Sequence, residues 1–298
     1  MQDARAKSLI HFHIIVFIFG FTSILGALIS IDAIPLVWYR MVIATLSLAI
    51  FFNFFNKTYF RLPRHLIKGV VLAGLIIAVH WITFFQAIKI AGVSLTLSMM
   101  STGAFITAIL EPLFFNRKFF LYEFVFGGFA ALGVLLIFDA EFQYLNGILI
   151  ALISAFLSVI FTLINGKIVH KAEPITLSFY ELLVGAIGIT LYMIFSNQFE
   201  WVQFKLVPYD ILWLLVLGIV CTAYAFNASI KVMKNLSPFT VMMIINMEPV
   251  YGILLSLVIF GEKEFMSLNY YLGLAIVLTA ILFNGIFKHR KQRKEKVL

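Results

Sequence analysis

A chain of 298 residues could form about two soluble domains, but 62% apolar residues, only 12% charged residues and a mean hydropathy of +1.04 exclude a soluble fold. The net charge of +8 raises nucleic-acid binding. Most of the excess, however, lies at the ends of greasy segments and in the tail Lys288–Lys294, where contact with anionic lipid headgroups is the simpler reading. Cys221 is the only cysteine, which excludes an intramolecular disulfide and a cysteine metal cluster.

In chain order the apolar runs are Ile10–Ile29, Ala33–Phe54, Ile67–Lys89, Val93–Phe115, Phe119–Phe138, Leu145–Gly166, Thr176–Asn197, Tyr209–Ile230, Phe239–Phe260 and Leu268–Phe287. Each is about 20 residues long, enough to cross a hydrocarbon core of about 30 Å. None alternates polar and apolar residues as a barrel strand does, so helices remain as the way to satisfy the backbone in lipid. The first run follows Arg5 and Lys7 as a signal peptide would, but another span follows it directly, and it reads as a retained helix. The expected fold is an all-α membrane protein with ten transmembrane helices.

Ten spans place both ends on one side. With the N-terminus inside, 18 of the 22 Lys and Arg fall in cytoplasmic segments; Lys89, Lys205 and Lys263 fall outside and Arg40 lies within a span. The positive-inside rule thus favours cytoplasmic termini. Trp38, Trp201, Trp213, Tyr209, Tyr270 and Tyr271 are expected at the outer interface as an aromatic belt.

Residues 10–138 and 145–287 each carry five spans, and residues 288–298 form a basic tail. A shift of 145 residues matches Lys89 with Lys234, Phe115 with Phe260, Lys118 with Lys263, Phe120 with Phe265, Gly128 with Gly273, Ala130 with Ala275 and Phe138 with Phe283. An odd number of crossings per half turns the second copy upside down. The architecture expected is two inverted five-helix repeats, a plan of secondary transporters with the substrate site at the midplane.

Ionisable groups inside a span are expensive and point to function. Glu248 lies mid-span and is followed by Pro249, which removes a backbone donor and frees the carbonyl of Ile245; Asn246 is close by. This group would bind a cationic or amino moiety, carry a coupling proton, or form only a structural kink. His80 and Trp81, at the middle of the third span, read either as a wall for an aromatic or zwitterionic substrate or as ordinary packing. Arg40 lies about ten ångströms inside the outer surface at 1.5 Å per residue, as an outer gate or a snorkelling side chain. Glu111-Pro112 reads as a kink and cap near the inner end of the fourth span, and Glu181 lies near the inner surface. Hydroxyl and small residues cluster at Ser98, Ser101, Thr102, Gly103 and Thr107, at Ser154, Ser158 and Thr162, and at Tyr224 and Asn227, where helix packing is the commoner role. No spacing supplies three or four metal ligands on one face, and neither a cofactor nor a metal is expected.

Certain short runs carry a resemblance to a known family: Phe19-Gly20-Phe21-Thr22-Ser23, Pro35 through Arg40, Ser237-Pro238, Glu248-Pro249, Gly261-Glu262 and Gly273. The chain from Phe12 to Phe287 resembles the drug/metabolite transporter superfamily, specifically its EamA-type ten-helix exporters. Pro249 followed by Gly261-Glu262 fits the family's second-half signature; Asn116-Arg117 stands where the first half would carry Gly-Glu. The resemblance implies that helices one, three, four, six, eight and nine line a cavity, which groups Thr22, Trp81, Ser101, Tyr224 and Glu248. It makes packing positions of Gly127, Gly128, Gly133 and Gly273.

The expected function is secondary active export of a small amino acid-like or amphiphilic metabolite across a bacterial inner membrane by alternating access. A non-transporting accessory subunit is the alternative, and an enzyme is disfavoured because no nucleophile–base set or metal cluster is evident. The expected partners are the substrate, the lipid and a second copy of the chain as a homodimer; nucleic acid is not among them.

Overall fold

A computed structural model describes residues 2–116, 121–196 and 204–295, all of whose regular elements are helical. The helices are α1 (Gln2–Leu28), α2 (Ala33–Phe55), α3 (Ile67–Met100), α4 (Gly103–Phe115), α5 (Leu121–Ala140), α6 (Leu145–Ile168), α7 (Pro174–Phe195), α8 (Pro208–Leu215), α9 (Ala225–Val232), α10 (Pro238–Ile245), α11 (Glu248–Phe260) and α12 (Leu268–Glu295), with a π-helical stretch, Val216–Tyr224, joining α8 to α9. Among the described residues, seven helical spans are long and apolar enough to cross a membrane. The chain is therefore a multi-pass membrane protein.

The three remaining runs of the sequence are represented by shorter apolar helical stretches among the described residues, Gly103–Phe115, Val125–Ala140 and Leu268–Ala280. α3 carries on into the start of the fourth run, but Gly92, at φ 81° and ψ 172°, interrupts it. The N–H groups of Val93 and Ser94 donate to the Glu264 carboxylate at 3.0 and 2.8 Å. A new helix thus starts at Val93, capped by an acid at its positive end. Glu264→Gln should lower the melting temperature of the purified protein, since a hydrogen bond to a charged group contributes about 1.5–3 kcal/mol; an unchanged melting curve would make the cap idle.

The fourth and ninth runs are each broken in the middle, at Ser101–Thr102 and Asn246–Met247. Thr102 N–H donates to Met99 O and Met247 N–H to Ile244 O, a tighter i−3 turn in both. Counting 246 − 101, the breaks lie 145 residues apart. Different chemistry supports each. In the first, the Ser101 and Thr102 hydroxyls bond back to Ser98 O and Met99 O at 2.6 and 2.7 Å. In the second, Pro249 sits in the first turn of α11, where its missing N–H matters least. Pro112, the other expected kink, lies inside α4, beyond the break at Ser101–Thr102.

Close backbone approach builds the bundle. A Cβ on Gly133 would lie 2.7 Å from Gly273 O, and one on Gly273 2.7 Å from Gly133 O, so α5 and α12 cross through paired glycines. Gly127 packs under the Phe105 ring, whereas Gly128 has open space around it and is not the expected packing position. Gly133→Leu should therefore force α5 and α12 apart and lower the melting temperature, at about 1–3 kcal/mol for an overpacked contact, while Gly128→Leu should leave it unchanged.

Polar ties define the two ends of the bundle. At one end Asp210 accepts from Ser30 N and Ser30 Oγ at 2.8 and 2.6 Å, and Lys89 Nζ donates to Ile29 O at 2.9 Å. At the other, Asn235 Nδ2 donates to Ser8 Oγ at 3.0 Å and Lys234 pairs with Glu173 at 3.6 Å. Tyr270, expected in an aromatic belt, is fully buried, with its hydroxyl between Ser98 Oγ and Ser94 O. Trp201 lies outside the described residues. α12 runs on to Glu295, past the expected end at Phe287.

Candidate functional site

A cavity lies among α1, α2, α3, α6, α9, α10 and α11. Its deep end holds Arg40, Thr22, Trp81 and Glu248, and it extends to Met233 and Val241 beside the α9–α10 connection. It therefore reaches toward the Asn235 end of the bundle and away from the Asp210 end.

Arg40 does not snorkel. It is 2% exposed, and its guanidinium carbon sits 3.6 Å from the centroid of the Trp81 ring, a desolvated cation–π contact. Its Nε–H donates to Thr222 Oγ1 at 2.7 Å, and that hydroxyl donates to Leu217 O at 2.7 Å. The second bond spans five residues, the π-helical spacing, and such bulges recur at functional sites. The wide turn thus holds Thr222 where it can orient Arg40. Gly218 permits the approach: a Cβ there would lie 2.5 Å from Ile43 Cγ2.

Trp81 continues into an aromatic wall, edge-on to Phe226 at 5.3 Å, which stacks on Phe161 at 5.5 Å. His80 is both packed and lining. Its Nδ1 lies 2.9 Å from Ser154 O, and Ser154 Oγ donates to His80 O at 2.9 Å. A carbonyl only accepts, so this contact is made by a proton on Nδ1. Glu248 opens α11, where the positive end of the helix faces its carboxylate.

Of the expected site residues, Thr22, His80, Trp81, Arg40 and Glu248 line the cavity together. Three do not. Tyr224 is 48% exposed and its hydroxyl bonds His11 Nε2 at 2.9 Å on the outside of the bundle. Ser101 is fully buried and bonded to Ser98 O. Asn246 is buried at the helix break, with neither side-chain polar atom partnered among the described residues. Tyr224→Phe should therefore leave transport unchanged, as measured by release of substrate from cells; a loss would return Tyr224 to the site. Thr222, Phe226, Ser229 and Met233 were not singled out from the sequence as site residues. The π-helical register that sets Thr222 has no sequence signal as plain as a proline.

Among the described residues that line the cavity, Arg40 and Glu248 are the basic and acidic side chains, set among the rings of Phe19, Trp81, Phe84, Phe161 and Phe226. Among the described residues no three His, Cys, Asp or Glu side chains gather as a metal-binding group.

A family model described as the EamA-like transporter family matches residues 7–139 and again 145–286. A crystal structure of another protein superposes with a TM-score of 0.68 at 14% identity, covering 93% of this chain and 96% of that one. At that identity the likeness is one of fold. No curated protein matches.

Proposed function

The chain belongs to the EamA-like transporter family, and on that premise we propose that it carries a small zwitterionic or amphiphilic metabolite across the membrane by alternating access. The observation that carries this reading is the shared cavity of Arg40 and Glu248, with Trp81 stacked on the guanidinium. Arg40 takes the carboxylate or other acidic end of the substrate, Glu248 its amino end, and the rings of Trp81, Phe161 and Phe226 the apolar body.

In this proposal ten crossings form two inverted halves, 10–138 and 145–287. The repeated break in the fourth and ninth runs supports it, since discontinuous helices frame the midplane sites of such carriers. Both termini face the cytoplasm of a bacterial inner membrane, and the tail 288–298 rests on anionic lipid. The cavity then reaches toward the cytoplasm, and the Asp210–Ser30, Lys89–Ile29 and Glu264–Val93 ties close the outer side. Export is the direction expected of an EamA-type carrier.

The test is untargeted analysis of the medium from cells overproducing the protein against cells lacking it. A zwitterionic or singly charged amphiphile enriched by the protein supports the reading. A polyanionic compound in its place would contradict it, because Arg40 alone could not neutralise several phosphates.

A further inference from the structure

Glu181 in α7 is fully buried and does not line the cavity. Neither of its carboxyl oxygens has a hydrogen-bond partner among the described residues. The carboxyl lies against the side chain of Asn165 in α6, which is also fully buried. Asn165 Nδ2 donates to Phe161 O through a long bond of 3.4 Å, while its Oδ1 has no partner. Both Glu181 oxygens and Asn165 Oδ1 are thus packed inside the bundle without a hydrogen-bond partner among the described residues, an arrangement that buried polar groups avoid.

No nearby charge answers them. On the elements packed against α7, Arg40 is held by Thr222 and Trp81, His80 by Ser154 and Lys89 by Ile29 O. Lys57, Lys68 and Lys231 are exposed at the bundle end, as is Lys167 on α6. A hard metal cation takes about six oxygen ligands or more, twice the number of orphan oxygens. One proton suffices: a Glu181 O–H donating to Asn165 Oδ1 satisfies the amide and removes the buried charge together.

We infer that Glu181 and Asn165 form a proton-binding site behind the cavity wall, separate from the substrate cavity. The site also has a means of acting on the cavity. Loss of the proton leaves a carboxylate that accepts only, so Asn165 turns its Nδ2–H toward Glu181 and releases the carbonyl of Phe161. Phe161 lines the cavity.

The test is infrared spectroscopy of the purified resting protein at neutral pH, with no substrate present, so that its outcome is independent of whether the protein transports. A neutral carboxylic-acid carbonyl band is expected, absent in Glu181→Gln and retained in Glu248→Gln. Asn165→Leu should keep the band but move it to higher frequency, because its hydrogen-bond acceptor is gone. Glu181→Gln should also fold, since its amide N–H replaces the O–H toward Asn165. A spectrum in which Glu181→Gln removes no band, or in which Asn165→Leu leaves the frequency unmoved, overturns the assignment.

Discussion

Arg40→Ala will lower both the stability of the protein and its transport. The guanidinium is desolvated between the Trp81 ring and Thr222 Oγ1, in the cavity that Glu248 also lines. Removing the guanidinium forfeits a desolvated cation–π contact, worth about 2 kcal/mol or more, together with the hydrogen bond to Thr222. Thermal melting in detergent should show that loss directly. Arg40→Lys should fold and still transport poorly, by about tenfold if one charge-assisted contact of about 1.5 kcal/mol is lost. A compact ammonium cannot stack on Trp81 as the planar guanidinium does while presenting the same N–H to Thr222. If Arg40→Ala melted and transported like the wild type, the guanidinium would be idle.

Glu248→Gln will keep the fold and remove transport. The substitution preserves shape and the turn that opens α11, but removes the charge that would hold an amino group or a coupling proton. A lost charged contact again corresponds to about tenfold or more in rate, measured as efflux at matched expression. The variant should melt close to the wild type, since glutamine fills the same volume beside Pro249. Efflux equal to the wild type would take Glu248 out of the mechanism.

The broad fold was legible because lipid leaves few solutions: a run of about 20 apolar residues is a helix. Five of the eight polar site candidates were legible for a related reason. Arg40, His80, Trp81, Thr22 and Glu248 are residues that a lipid-facing surface would not tolerate or would not favour at that depth, and they converge on one cavity.

What could not be read from the sequence depended on backbone register. The π-helical stretch Val216–Tyr224 adds a residue to the turn, and Tyr224, expected inside, faces out toward His11. The same stretch brings Thr222 to Arg40. Ser101 and Asn246 sit in helix breaks, where hydroxyl and amide groups serve or strain the local backbone instead of lining a cavity. Gly92 reads as an ordinary loop glycine until its positive φ and the Glu264 carboxylate are seen to start a helix at Val93. Glu181 was visible as an intramembrane acid, but its isolation beside Asn165 is a property of packing alone.

The most direct measurement is counterflow in vesicles containing only the purified protein, loaded with the metabolite that the wild type enriches in the medium. Labelled compound outside should accumulate transiently with the wild type and not with Glu248→Gln. Vesicles with the wild type that take up label no faster than empty vesicles would contradict the account, and would mark the chain as an accessory subunit of another transporter.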